Sequence, residues 1–148
     1  MNIRIATEED ASALVDFNQA MALETEGKEL DRETLSLGVS AVFADKKKGF
    51  YVVAEEDGTI IGGLMVTYEW SDWRNGWFWW IQSVFIVPAA RGRGIYSDLY
   101  DFVKSRADEV GGICGFRLYV ERENEHAQAV YEKVGMTASN YLMFEEEA

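Results

Sequence analysis

The sequence predicts an α/β fold, a single domain over residues 1–148 in which helices flank a mixed, mostly antiparallel sheet in the order β-α-α-β-β-β-α-β-α-β. Three observations carry that prediction. Apolar, β-favouring stretches are joined by two hairpin signals, Glu56-Asp57-Gly58 and a turn over 71–76 that contains Asn75-Gly76. The last of these strands runs directly into a glycine-rich loop, Arg91-Gly92-Arg93-Gly94, and then into a helix. No low-complexity linker or internal repeat interrupts the chain, and 148 residues suffice for one sizeable core but would cramp two domains.

Residues 2–6 alternate as a short strand, and Thr7-Glu8-Glu9-Asp10 has the form of a helix cap with acids in the first turn. Ala11, Leu14, Val15 and Asn18 then share one helical face. Leu35, Val39, Val42 and Phe43 do the same in a second helix, beyond a segment crowded with Glu24, Glu26, Glu29, Asp31 and Glu33. Residues 50–55 and 59–69 form the first hairpin; the second returns along 77–87. Helical spacing places Ile95, Leu99, Phe102, Val103, Ala107 and Val110 along one buried face until Gly111-Gly112 ends the run. Phe116, Leu118 and Val120 alternate with Arg117, Tyr119 and Glu121 as a strand. Ala127, Val130, Tyr131 and Val134 line a last helix before Gly135, and a final strand is expected at about 139–145.

Hydrophobic residues form 48% of the chain and aromatics 14%, which excludes intrinsic disorder. No apolar run approaches the ~20 residues of a bilayer span, so a soluble protein without a membrane partner is expected. The N-terminus passes quickly from Ile5 to Glu8-Glu9-Asp10 without the apolar core of a secretory signal, and the expected location is the cytoplasm. Cys114 is the one cysteine, which rules out an intrachain disulfide and a thiolate metal cluster; no metal is expected. A formal charge of -12 repels a phosphate backbone, so no nucleic acid is expected as a partner. The same acidity suits a cationic partner, or does no more than maintain solubility.

Against that acidity, Arg91 and Arg93 sit inside the glycine loop. Gly92 and Gly94 permit backbone angles that let successive N–H groups converge on one anion, and the following helix adds its positive end. A phosphate accounts for the local cationic placement. A close strand-to-helix junction is the plainer use of the glycines taken alone. The loop lacks the Gly-Lys-Ser/Thr ending of a nucleotide P-loop and the third glycine of a dinucleotide fingerprint.

A second pattern follows: Asn124, Ala127, Tyr131 and Gly135. With both patterns on one chain, the sequence resembles the GNAT family of N-acetyltransferases over most of its length. That family's Arg/Gln-x-x-Gly-x-Gly/Ala signature follows the central strand and wraps the pyrophosphate of coenzyme A; Arg91, Gly94 and Tyr96 stand at its three positions. The later Asn-x-x-Ala-x-x-x-Tyr-x-x-x-Gly pattern is met in full. The resemblance implies acetyl-CoA as cosubstrate. Its pantetheine arm would pair with Phe85, Ile86 and Val87 as an added strand, and Arg91, Gly92, Arg93, Gly94, Ile95 and Tyr96 would surround the pyrophosphate. Asn124 would contact the coenzyme or anchor its helix.

The chain departs from the family pattern twice. Tyr96 stands where Gly or Ala is usual, which leaves the path of the loop open there. Gln82 falls near the place where many members carry a glutamate as general base, and an amide accepts no proton usefully at neutral pH. Gln82 either orients a water through which the proton leaves or satisfies a neighbouring strand.

The implied reaction is attack of a primary amine on the acetyl thioester, directly in a ternary complex. The amine must be neutral, so a base or water chain takes its proton; Glu69, Asp72, Glu24 and Glu26 are candidates that the sequence does not rank. A backbone N–H near Val84 to Ile86 would stabilise the oxyanion. Tyr131, with an ordinary pKa of about 10, would protonate or stabilise the departing thiolate, although its helical spacing also suits a plain core residue.

Tyr68, Trp70, Trp73, Trp77, Phe78, Trp79 and Trp80 surround one hairpin, with Trp77 and Trp79 on one face and Phe78 and Trp80 on the other. One such face, joined by acids of the 24–33 segment, would suit a small cationic or aromatic amine. A homodimer interface is the rival use. His126 is expected at the surface and Cys114 in the interior, and a covalent acyl-enzyme is not expected. The alternatives to a small-molecule acetyltransferase are a peptide or protein N-acetyltransferase and an acyl-CoA binding or sensing module without turnover.

Overall fold

The computed structural model describes residues 1–148, which divide into two compact units, Met1–Leu118 and Tyr119–Ala148. In the first unit β1 (Asn2–Ile5), β2 (Phe50–Glu56), β3 (Thr59–Ser71), β4 (Gly76–Ile86) and β5 (Ile113–Arg117) lie side by side in that order. The first four pair antiparallel, and β5 joins β4 in parallel. Helices α1 (Ala11–Glu26) and α2 (Arg32–Ala44) connect β1 to β2, and α3 (Ile95–Val110) is the crossover that a parallel β4–β5 pair requires. No helix is long and apolar enough to cross a membrane.

Local chemistry explains the boundaries. Asp57 (φ 51°) and Gly58 (φ 77°) turn the β2–β3 hairpin with both central residues left-handed, the geometry that matches strand twist. Asp31 caps α2, its side chain accepting from the Thr34 N–H at 3.1 Å. Asp10, the one buried charged residue, takes two guanidinium bonds from Arg4 (2.7 and 3.0 Å) and the Thr7 N–H (2.8 Å). Arg4 also holds Glu55 of β2 at 2.7 Å, so one cation ties the first strand, the entry to α1 and the sheet together.

Side-chain alternation gives the sheet two faces. The space above Gly63 meets Leu14 of α1, and this face packs with α1 and α2 around Phe17, Val39, Val42, Tyr51, Val53 and Phe85. The space above Gly62 meets Ile95 of α3, whose Leu99, Val103 and Ala107 are also buried; Val110, expected on the same buried face, is exposed at the end of the helix. One irregularity breaks the pattern. Gln82 pairs with Met65 but Phe85 pairs with Gly63, so β4 advances three residues where β3 advances two. Ser83, at φ 53°, lies in this bulge. Before it, residues 78, 80 and 82 face α1 and α2; after it, Phe85 does, its ring centre 5.2 Å from that of Phe17 in a tilted pair.

In the second unit α4 (Glu125–Lys133) starts at Asn124, whose side chain accepts from the Ala127 N–H at 3.1 Å. Past its end the Met136 N–H donates to the Tyr131 carbonyl at 3.0 Å, across Gly135 at φ 99°.

Three expectations are corrected. The strand expected from Phe116 onward runs instead over Ile113–Arg117, because the Trp77 N–H donates to the Gly112 carbonyl (2.9 Å) and parallel pairing begins at Trp77 and Ile113. The strand expected at 139–145 does not form. Tyr141 to Phe144 are four large apolar residues in a row where a half-buried strand would alternate, and Glu145 to Glu147 follow with like charges. Cys114 is exposed: it lies on the edge strand β5, unpaired in the register shift between the Trp77–Ile113 and Phe78–Gly115 pairs.

Candidate active site

Pro88–Ala90 form one 3₁₀ turn that leads β4 into the loop. Gly92 (φ 79°) and Gly94 (φ 77°) are left-handed, and nothing lies within 4 Å of where a Cβ of either would stand. Gly94 opens α3 without a side-chain cap. The helix ladder begins with the Asp98 N–H on the Gly94 carbonyl (3.2 Å), so the N–H groups of Ile95, Tyr96 and Ser97 precede it at the positive end of the helix. Ile95 and Tyr96 bury their side chains, the Tyr96 ring stacking on Tyr100 at 6.1 Å. Tyr96 therefore brings its backbone, and not its ring, to the loop.

Both loop arginines are held by carboxylates. Arg91 is bidentate to Glu24 (2.7 and 2.9 Å), donates through Nε to the Ile86 carbonyl (2.9 Å) and lies 5.4 Å from the Phe85 ring centre. Arg93 is bidentate to Glu56. Each guanidinium holds its carboxyl below the usual carboxylate range. These pairs are solvent-exposed, and such pairs hold weakly enough for a phosphate to take the guanidinium.

The edge of β4 is open next to this loop. β5 pairs with β4 from Trp77 to Trp80, and no strand continues that pairing along 81–86. The Val87 N–H donates to the Ile61 carbonyl (2.9 Å), so alternation turns Phe85 toward β3 as well and leaves Ile86 facing outward. Of the three residues expected to pair with a pantetheine arm, Ile86 faces the open edge and Phe85 and Val87 do not.

Gln82 donates through Nε2 to Thr67 Oγ1 at 2.6 Å, across the strand pair. Glu69 accepts from Trp80 Nε1 (2.8 Å) and Arg117 (2.9 Å), which together hold its carboxyl low. Glu24 is engaged by Arg91. A carboxylate held in this way is a poor proton acceptor, which counts against Glu69 as the base, whereas Glu24 is held only until a phosphate takes Arg91. Asp72 accepts from the Trp73 N–H at 2.9 Å, and Glu26 lies 3.6 Å from Lys28.

A cavity of about 330 Å³ opens on the α1–α2 face, bounded by Asn18, Gly38, Lys48, Tyr51, Thr67 and Ser83 with apolar walls between them. Ser83 brings the bulge of β4 to its wall. This is not the pocket expected from the sequence. Trp77 and Trp79 lie with Tyr68 and Trp70 on the opposite, α3 face, and Trp73 at the hairpin tip is 87% exposed. Glu24 is held beyond the far end of β4, roughly 30 Å from Trp77 at ~3.3 Å per residue. The hairpin tryptophans and that acid do not meet. The cavity residues carried one sequence signal: Gln82-Ser83 followed by Val84-Phe85 breaks alternation, which marks a bulge.

In the second unit Tyr131 is partly buried, and burial pushes its phenol above the ordinary tyrosine value, so it stays protonated at neutral pH. Asn124 anchors the start of α4. His126, in the first turn of that helix, is exposed as expected.

A left-handed glycine loop at an uncapped helix start, an open central strand and the later Asn–Tyr–Gly pattern define a class, and the chain belongs to it: the acetyltransferase (GNAT) family model matches residues 12–136. The chain is 28% identical to YhfO, an uncharacterized N-acetyltransferase of Bacillus subtilis (strain 168), over 136 residues that make up 91% of this chain and 89% of that protein. A possible acetyltransferase from Clostridium difficile 630 is similar in structure, with a TM-score of 0.92 and 44% identity over 99% of this chain and 97% of that one. A predicted acetyltransferase from Clostridium acetobutylicum, solved with acetyl-CoA, shares the fold at a TM-score of 0.80 and 22% identity, covering 98% and 95%.

Proposed function

We propose that this chain is an acetyl-CoA-dependent N-acetyltransferase, one catalytic domain over residues 1–148, that acetylates the primary amine of a small molecule in a ternary complex in the cytoplasm. The observation that carries the reading is the continuity of the open β4 edge, the loop at Gly92 and Gly94 and the uncapped start of α3. An elongated ligand with phosphates partway along it and an extended amide arm matches that sequence of features. A family neighbour solved with acetyl-CoA supports the choice of ligand.

When bound, acetyl-CoA supplies an acyl thioester open to attack at its carbonyl carbon. The chain's own residues bind and orient it. The N–H groups of Ile95, Tyr96 and Ser97 meet phosphate oxygens, and Arg91 and Arg93 add charge as they leave Glu24 and Glu56. Ile86 adds a backbone ladder bond to the arm, and a backbone N–H near Val84 to Ile86 stabilises negative charge on the carbonyl oxygen. Tyr131 gives its proton to the departing sulfur. Gln82 positions Thr67 and the solvent beside it, and the amine's proton leaves through water.

A cavity of about 330 Å³ is at the small-molecule end of ligand sites, which favours a small acceptor over a protein segment. A second reading, an acyl-CoA sensor without turnover, draws on the amide at Gln82 and on the low carboxyl of Glu69. Thiol release from acetyl-CoA across an amine panel, with Tyr131→Phe as control, tests the two. Turnover that falls with the substitution supports the transferase, and tight coenzyme binding with no thiol release supports the sensor.

A further inference from the structure

We infer that the acceptor carries a carboxylate alongside its amine and an apolar body, and that Lys48 at the mouth of the cavity selects it. The inference rests on the transferase reading above and on the cavity as the acceptor site. In a chain of formal charge -12, no carboxylate bounds this cavity, and Lys48 is its one charged lining residue. A polyamine would bring two or more ammonium groups to a wall that offers no counter-charge.

The polar groups sort into donors and acceptors. Lys48 is exposed and its ammonium sits 3.3 Å from Asp45, an exposed pair that it can leave at little cost. Asp45 keeps the Lys47 N–H at 3.0 Å when it does. Thr67 Oγ1 already accepts from Gln82, so its own hydrogen is left to donate. Burial keeps the Tyr51 phenol protonated, a third donor. Asn18 turns its amide nitrogen to the Leu14 carbonyl, spending one of its two hydrogens there (2.9 Å), and its oxygen is available to accept from an ammonium. Leu35, Val39 and Met65 are the apolar walls. Donors for a carboxylate, an acceptor for an amine and an apolar surface describe an amino acid with an apolar side chain, or an equivalent amino-carboxylate.

The test is thiol release at saturating acetyl-CoA with matched pairs, leucine against leucinamide and methionine against methioninamide, with spermidine as polycation. Wild type and Lys48→Glu are compared by the change in the acid-to-amide ratio of kcat/KM, which cancels the different basicities of the amines. The expected result is a fall in that ratio of roughly ten-fold or more on charge reversal, carried by KM, with Lys48→Arg retaining it. An unchanged ratio overturns the inference, as does preferred turnover of spermidine. So does turnover of no amino-carboxylate while calorimetry shows intact acetyl-CoA binding. Failure to bind acetyl-CoA at all would instead sink the transferase reading beneath it.

Discussion

Arg91 and Glu24, 67 residues apart in sequence, meet in a bidentate pair at 2.7 and 2.9 Å that ties the loop before α3 to the last turns of α1. Through Nε the same guanidinium also holds the Ile86 carbonyl at the β4 edge. A carboxylate thus stands at the arginine proposed for the coenzyme's phosphates, and it competes with them.

Glu24→Gln removes that competitor and one negative charge. Coenzyme A is expected to bind roughly two- to five-fold more tightly to the variant, with the gain shrinking as salt rises, while Arg91→Ala binds more weakly. Titration calorimetry at two ionic strengths measures both. Weaker binding by Glu24→Gln would mean that Glu24 serves as a strut for Arg91 and not as its competitor.

Tyr131→Phe removes a phenol that burial holds protonated. As the proposed proton donor to sulfur, its loss should lower kcat by about 10²-fold or more with little change in the KM for acetyl-CoA. Because burial raises the phenol above its ordinary value, any loss of activity through its ionisation lies above about pH 10, beyond the neutral plateau. A kcat within about two-fold of wild type would remove Tyr131 from the chemistry.

Asp10 is buried with Arg4 and Thr7, and the Arg4 guanidinium holds its carboxyl below the usual aspartate value. A carboxyl lowered by folding stabilises above its unfolded pKa, and that contribution is lost as pH falls through the lower folded value. Asp10→Asn should cost about 3 kcal/mol at pH 7, and the gap from wild type should close as the solution becomes more acid than the ordinary aspartate range. Urea unfolding at a series of pH values reads this; a gap independent of pH would contradict it.

Gly38 lies inside α2 at the cavity wall, with nothing within 4 Å of a Cβ built on it. Gly38→Ala should stabilise the fold by about 0.5–1 kcal/mol through helix propensity, and Gly38→Leu should raise the acceptor KM by filling the site. Thermal melts and acceptor kinetics separate the two effects. An unaltered KM for Gly38→Leu would place the acceptor elsewhere.

Trp73 is almost fully exposed at the tip of a hairpin whose Trp70 and Trp77 lie on the face opposite the cavity. Trp73→Ser is expected to leave the acceptor KM unchanged and stability within about 0.5 kcal/mol. If the hairpin joins two copies in a homodimer, light scattering will show the mass fall. A raised KM without a change in mass would return the acceptor site to the hairpin.

The sequence by itself determined the helix boundaries most sharply, because they are set by local chemistry. Glycines end α3 at Val110, and an asparagine starts α4. Both hairpins, the glycine loop and the family patterns were legible for the same reason. Periodicity misplaced β5 and predicted a strand at 139–145, since a strand depends on a partner that composition does not name.

What the tertiary structure alone decided is which charges and faces meet. Glu24 reaches Arg91, Glu56 reaches Arg93, and Glu69 reaches Arg117, each across dozens of residues. The last of these pairings makes a counter-ion of one expected base, Glu69. One extra residue at Ser83 then reversed the parity of β4, so Gln82 and Phe85 share a face. Side-chain direction in a strand has a period of two, and a single inserted residue redirects everything beyond it. That reversal brings the central strand to a carboxylate-free cavity on the face opposite Trp77 and Trp79.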